Sequence, residues 1–158
     1  MPSFIENETM SPDQIFSIAN GTALCCWLLL LVLPGRKWVT VVLAGVIAPA
    51  AFAALYSVII AIFFWNSPGG FSSLPDVALL FSNPWLLLAG WIHYLAFDLL
   101  VGAWEARDAR DRGISHMFLV PSLIMTFLFG PAGWVLYLGV RSAPLGWRSL
   151  PMRRGARR

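Results

Sequence analysis

The chain has 158 residues, of which 58% are hydrophobic and only 12% charged, with a formal net charge of +3. Soluble domains usually carry about 25% charged residues, which keep them dispersed in water. This composition excludes a separate soluble catalytic domain, and we expect an all-α, polytopic transmembrane four-helix bundle. We divide the chain into an N-terminal segment, 1–10, a transmembrane domain, 11–141, and a basic C-terminal tail, 142–158.

The first two spans are predicted at 11–33 and 38–65. Ser11 is suited to cap the first helix, because Gln14 follows three residues later with a proline between them. The residues before it are acidic and include no Lys or Arg, whereas a secretory signal peptide begins with basic residues. Tryptophans bracket the second span, as in the aromatic belts of membrane proteins. Pro49 lies in its middle and predicts a kink.

The second half of the chain predicts one interfacial helix and two further spans. The apolar run 77–81 is too short to cross a bilayer and indicates an interfacial helix. The third span is predicted at 85–112, with a solvated end from 105 onward. The fourth is predicted at 115–140, although Gly130-Pro131 interrupts it.

The distribution of Lys and Arg along the chain conflicts with four membrane spans. All 11 Lys and Arg fall in the first loop, the third loop or the tail. The positive-inside rule assigns both loops to the cytoplasm, but an even number of spans then puts the basic tail outside. Either the orientation is inverted or the number of spans is wrong by one, and the orientation stays open.

A carboxyl group, Asp98, lies within the third span. A charge there is costly in lipid, so Asp98 should face the bundle interior and have a partner. Helical spacing places four residues on one stripe: Trp91, Tyr94, Asp98 and Gly102. Tyr94 is in reach to donate a hydrogen bond to Asp98. His93 points roughly 140° away from Asp98 and shares a cavity with it only if neighbouring helices cover both edges.

Two interpretations of this centre stay open. Without a cation nearby, burial favours the neutral form of Asp98, which is able to donate a proton, and His93 and Tyr94 complete a candidate catalytic set. With Arg107, Arg141 or His116 in reach, Asp98 stays ionised as an anchor. The three side chains then form a structural clamp between helices.

The break at Gly130-Pro131 is a second candidate feature. Proline removes one helical hydrogen bond, and glycine removes side-chain bulk. The freed carbonyl groups must be satisfied within protein or in a wet cavity, so the break predicts a packing notch, a ligand site or both. The candidate substrate-binding residues are Trp91, Gly102, Thr126, Gly130 and Pro131.

The sequence lacks the motifs that are typical of several classes of chemistry. It has no phosphate-binding glycine loop, no metal-ligand spacing and no serine nucleophile motif, so we expect no cofactor and no metal. We expect no nucleic-acid partner either. The basic tail is expected to contact anionic membrane lipid.

Two blocks of sequence, 90–102 and 129–141, resemble the ABA4-like (DUF4281) family of integral membrane proteins. The first reads GWIHYLAFDLLVG and the second FGPAGWVLYLGVR, and the segment between them is similar to bacterial members. The plant protein that names the family is required for neoxanthin formation in plastids. The resemblance therefore implies a role in carotenoid or related isoprenoid metabolism, in a bacterial cytoplasmic (inner) membrane.

Three functions are considered on this basis. The first is cofactor-free isomerisation or epoxide opening on a membrane-dissolved carotenoid or isoprenoid, since one acid and one base suffice for that chemistry. The second is a non-catalytic scaffold for other membrane enzymes. The third is a carrier of protons or small solutes, for which so few helices would require a homo-oligomer.

Overall fold

The computed structural model describes residues 10–143, which form helices and no strand. In chain order the helices are α1 (Pro12–Val32), α2 (Trp38–Phe63), α3 (Leu74–Leu80), α4 (Pro84–Arg112), α5 (His116–Phe129) and α6 (Pro131–Ser142). Three of them, α1, α2 and α4, are long and apolar enough to cross a membrane. The predicted segment 1–10 and tail 142–158 lie outside the described residues, apart from Met10, Ser142 and Ala143.

The start of α1 is capped as the sequence predicts. The Ser11 hydroxyl accepts a hydrogen bond from the Gln14 amide at 3.2 Å, and the Gln14 side chain accepts one from the Ser11 amide at 2.8 Å. Two of the amide groups that a helix start leaves unpaired are thereby satisfied, which matters at the edge of a bilayer.

Helix α2 begins as a π-helix, Trp38–Ile47, and becomes an α-helix just before Pro49. The Arg107 guanidinium of α4 donates a hydrogen bond to the Thr40 carbonyl in the π-helical part. Gly45 makes this approach possible, because a Cβ there would lie 2.8 Å from Arg107 Nη1. The irregularity of α2 thus lies in the π-helical segment that receives a charged side chain from α4.

Helix α4 lies at the centre of the bundle. Phe16 of α1 contacts Trp91 of α4, and Trp27, further along α1, covers Gly102, further along α4. Helices α1 and α4 therefore run parallel. Helix α2 runs antiparallel to α4, as three successive pairs show: Phe63 with Trp85, Tyr56 with His93, and Thr40 with Arg107.

The predicted fourth span is wrong. The structure has two short helices there, and they pack against each other as an antiparallel hairpin. Gly113, whose φ is left-handed, caps the end of α4, and α5 starts at His116. Arg141 at the end of α6 returns to this level, where it bonds Asp108 of α4. Gly130, φ +46°, forms the turn between the arms.

The lengths of the arms explain why neither crosses the membrane. Helix α5 has 14 residues and α6 has 12, which correspond to roughly 21 and 18 Å against the ~30 Å of a hydrocarbon core. The tip of the hairpin contacts Asp98, near the middle of α4. The hairpin therefore enters from the end of α4 and returns to the same side.

Three spans and a re-entrant hairpin resolve the conflict over orientation. The α1–α2 turn, the end of α4 and the end of α6 lie at one end of the bundle. All cationic side chains among residues 10–143 belong to this cationic end: Arg36, Lys37, Arg107, Arg110, Arg112 and Arg141. The chain leaves the described part at Ala143 at this end, so the cationic loops and the end of α6 lie together, as the positive-inside rule requires of residues on one side of a membrane.

This topology predicts the labelling of single cysteines placed in a Cys25→Ala, Cys26→Ala background. In sealed membranes, Gly35→Cys and Ser142→Cys should react with an impermeant maleimide from the same side, and Ser72→Cys from the other. Labelling of Ser142→Cys from the same side as Ser72→Cys would instead indicate a fourth membrane crossing.

Candidate functional site

Asp98 lies directly against the turn of the re-entrant hairpin. A Cβ on Gly130 would lie 2.7 Å from Asp98 Oδ1 and 3.1 Å from Oδ2. Glycine is required twice here, because φ is +46° and because the carboxyl group occupies the space of a side chain. The structure therefore brings together the two features that the sequence singled out separately, the intramembrane acid and the helix break.

The Asp98 carboxyl group is buried, and no cation of residues 10–143 forms an ion pair with it. Its exposed fraction is 8%, and its Oδ2 has no hydrogen-bond partner among the described residues. The ion pairs within residues 10–143 involve only two acids, Asp108 and Asp111. Because an unpaired carboxylate in an apolar interior is costly, this environment favours the neutral form of Asp98, which carries a proton that it can donate.

Two aromatic residues precede Asp98 on the same stripe of α4, as predicted. The rings of Trp91 and Tyr94 lie 5.4 Å apart, and Trp91 Nε1 donates a hydrogen bond to Asn20 of α1 at 2.9 Å. The Tyr94 hydroxyl interacts with the Asp98 side chain by a hydrogen bond, and it also donates a long 3.4 Å hydrogen bond to the Phe127 carbonyl at the end of α5. Tyr94 thus links Asp98 to a carbonyl group that the helix break leaves free.

The hairpin covers only the cationic half of α4, so the other half of this stripe is open to lipid. We name this opening the aromatic recess and define it by Phe16, Leu87, Trp91 and Tyr94. Asp98 follows one turn after Tyr94 on the same stripe and is buried. Phe16, Leu87 and Trp91 are 41%, 57% and 40% exposed. At the outer end of the recess lies a cavity of about 300 Å³, lined by Pro12, Asp13, Phe16, Pro84, Leu87, Leu88 and Trp91.

A second buried acid, Glu105, lies two helical turns beyond Asp98. It is 0% exposed, and its Oε1 accepts a hydrogen bond from the Thr126 hydroxyl at 2.9 Å. The sequence placed Glu105 in a solvated helix end, and that prediction is wrong because the hairpin packs over it. The seven-residue spacing from Asp98, which returns to nearly the same helix face, was the available signal.

A polar network fixes the base of the hairpin to α4. Asp108 accepts hydrogen bonds from Tyr137 at 2.8 Å, from Arg141 Nε at 2.9 Å and from Arg112 Nε at 2.8 Å. Charge-assisted bonds of this kind are the stronger ones in proteins. Arg141 is therefore engaged with Asp108 rather than with Asp98.

Gly102 lies between the two buried acids but faces α1. A Cβ at Gly102 would overlap the Trp27 indole. On the hairpin side, Gly133 packs equally closely on Thr126. Gly102 therefore permits close helix packing, whereas Thr126, Gly130 and the exposed Pro131 lie at the hairpin surface that faces the acids or lipid.

His93 is not brought to Asp98. It lies on the other face of α4, with ring centroids 5.6 Å from Tyr56 and 4.6 Å from Phe97. It lines a separate cavity of about 260 Å³ beneath α3, together with Tyr56, Ile60, Phe71, Leu80, Phe81, Leu86 and Gly90. The geometry therefore separates His93 from the Asp98–Tyr94 pair.

The sequence matches the model of the family described as ABA4-like, ABA DEFICIENT 4-like, over residues 14–137. The protein belongs to the ABA4-like family. The matched range includes Asp98, Glu105 and the turn of the hairpin, so the site lies within the family domain. The ABA4-like name suggests a role in carotenoid- or abscisic-acid-related metabolism. No curated protein and no solved structure matches the chain.

Substitution of the hairpin turn tests this geometry. Gly130→Ala should destabilise the protein by about 1–3 kcal/mol or more, because alanine is strained at this backbone conformation and its Cβ displaces the Asp98 carboxyl group. Thermal unfolding in detergent measures the loss. The matched control is Gly139→Ala, since no heavy atom lies within 4 Å of a Cβ there. Equal stability of the two variants would contradict the described turn.

Proposed function

We propose that this protein binds a membrane-dissolved isoprenoid of the carotenoid class in the aromatic recess and isomerises it by acid–base catalysis at Asp98. The observation that supports the proposal is a buried carboxyl group, with no cation beside it among the described residues, that follows the aromatic residues of the recess on the same stripe of α4. Polyene chains suit such walls, and a long apolar substrate reaches the site from the bilayer without crossing water.

The reaction needs one proton and no redox equivalent. Neutral Asp98 donates its proton to an epoxide oxygen as the carbon–oxygen bond breaks, and the electron pair of that bond stays on the oxygen. The resulting carbocation loses a proton from a neighbouring carbon to the Asp98 carboxylate, and a new double bond forms. Product and substrate contain the same atoms, and Asp98 regains its proton.

The hairpin stabilises the charge that appears during this step. When Asp98 loses its proton, its carboxylate lies at the turn that precedes α6, whose amino-terminal end carries a partial positive charge. The Tyr94 hydroxyl, which interacts with the Asp98 side chain, supplies a second dipole. Because these groups are fixed before the reaction, they stabilise the anion with little reorganisation.

We propose that this site is reached from one leaflet. The cationic end faces the cytoplasm under the positive-inside rule, so the recess opens toward the opposite leaflet. From Pro84 to Asp98, α4 rises by roughly 21 Å, at 1.5 Å per residue, which is the distance that a substrate entering at Pro84 must span to reach Asp98. We propose the cytoplasmic membrane of a bacterium as its location, with lipid and the isoprenoid as its ligands.

The scaffold and carrier functions have less support. The outer face of the hairpin exposes Leu128, Phe129 and Val135, but an apolar surface is ordinary for helices that face lipid. A carrier needs a polar path through both halves of the membrane. The internal acids extend from the cationic end only to Asp98, and the recess beyond it is aromatic and apolar.

Pigment profiles of host cells test the proposed activity. Deletion of the gene should change one carotenoid or isoprenoid, and the wild-type gene should restore it. Asp98→Asn should fail to do so, because the amide is isosteric but is no acid. The control is Asp111→Asn, whose side chain is 71% exposed at the end of the same helix. Full restoration by Asp98→Asn would make Asp98 structural and favour the scaffold.

The separation of His93 from Asp98 gives a second genetic test. Tyr94→Phe should lower product formation several-fold in the same complementation assay, because it removes the hydroxyl dipole beside Asp98. His93→Phe should leave product formation unchanged, since the ring contacts with Tyr56 and Phe97 are kept. Loss of product in His93→Phe, at normal protein levels, would return His93 to the catalytic set.

A further inference from the structure

The interface between α4 and the hairpin contains more buried polar groups than the proposed reaction at Asp98 uses. Among the described residues, three buried side-chain atoms have no hydrogen-bond partner: Asp98 Oδ2, Glu105 Oε2 and Ser122 Oγ. Glu105 and Ser122 are each 0% exposed. Unpartnered polar atoms of this kind are expensive in an apolar interior, and here they share one interface.

These groups follow one another from the middle of the membrane to its cationic face. Asp98 lies at the hairpin turn, and Glu105 comes two turns later on nearly the same face of α4, where it interacts electrostatically with Asp98. Tyr137 of α6 lies in the field of Glu105 and donates its hydroxyl proton to Asp108 at 2.8 Å. Asp108 is bonded to two arginines at the cationic face.

The hydrogen-bond pattern at Glu105 fits an acid that holds a proton. Its Oε1 accepts from the Thr126 hydroxyl, and its Oε2 is left to donate. The ion pairs within residues 10–143 leave Glu105 without a cation, so burial favours the neutral group. A purely structural glutamate at this depth would be expected to have a positive partner.

We infer that Glu105 is a proton relay between Asp98 and the cationic face of the membrane. The inference rests on the proposed function, in which Asp98 must hold a proton when the substrate arrives. During the reaction Asp98 regains its proton from the substrate, so the relay acts between turnovers. When Asp98 is a carboxylate between turnovers, Glu105 passes its own proton to it through internal water, becomes a carboxylate, and is reprotonated from the aqueous phase by way of Tyr137 and Asp108. Protons are conserved at each transfer, and no oxidant or reductant takes part.

Glu105 acts on Asp98 and not on the substrate, because α1 and the hairpin enclose it. Trp27 covers α4 at Gly102, and its ring lies 5.5 Å from that of Phe127 on α5. The relay therefore keeps the acid supplied from water without opening the aromatic recess. A carbocation in that recess remains shielded from water, which would otherwise add to it.

Infrared spectroscopy of the full-length protein in lipid nanodiscs tests the relay without any substrate. Protonated carboxylic acids have carbonyl bands that are separate from those of carboxylates. The bands of Asp98 and Glu105 are assigned by their loss in Asp98→Asn and in Glu105→Gln. After transfer from H2O to D2O, the rate at which the Asp98 band shifts reports proton access to Asp98.

In Glu105→Gln the exchange at Asp98 should slow by about tenfold or more. The amide still accepts the Thr126 hydrogen bond, so the melting temperature should change little. The control Asp111→Asn should exchange at the wild-type rate. Unchanged exchange in Glu105→Gln would overturn the relay and leave Asp98 supplied from elsewhere.

The infrared result also separates this inference from the proposed function. If Asp98→Asn removes no acid band, Asp98 holds no proton and both proposals fail. If the band is present and Glu105→Gln slows its exchange while the pigment profile is unaffected by Asp98→Asn, the relay stands and the isomerase proposal fails.

Discussion

The rest of this structure depends on the contact between Asp98 and Gly130. A helix break in lipid is tolerated only where protein covers the free backbone groups, and a carboxyl group in lipid only where protein surrounds it. The chain meets both requirements in one place, because the turn of the hairpin and the acid of α4 cover each other. Glycine is the residue that permits this, since a Cβ would occupy the space of the carboxyl oxygens.

The arrangement of charge follows from that contact. Because the hairpin turns back at Asp98, its base returns to the end of α4, where Asp108 binds Arg112 and Arg141. Asp108 is thus paired with arginines at the cationic end, whereas Asp98 and Glu105 are buried without an ion pair among the described residues. This difference in surroundings is the basis for the different roles proposed for these acids of α4.

The two halves of the membrane consequently have different structures around α4. On the cationic side the hairpin, α1 and α4 enclose a polar interface, and on the other side the same face of α4 is open to lipid as the aromatic recess. Asp98 lies where the two meet. This position is the reason for proposing an isomerase rather than a carrier.

The sequence by itself determined the class of protein, the cap of α1, the limits of α4 and the importance of Asp98 and the Gly130-Pro131 break, because hydropathy and capping depend on local residues. It did not determine that the last apolar stretch folds back. Two mainly apolar segments that meet at Gly130-Pro131, and that form helices of 14 and 12 residues, are compatible with one broken span or with two short arms. Only packing against α4 chooses the arms, since Tyr137 and Arg141 reach Asp108 in no other arrangement. The burial of Glu105, the distance of His93 from Asp98 and the common side of the cations all follow from that choice, and each depends on contacts between residues far apart in sequence.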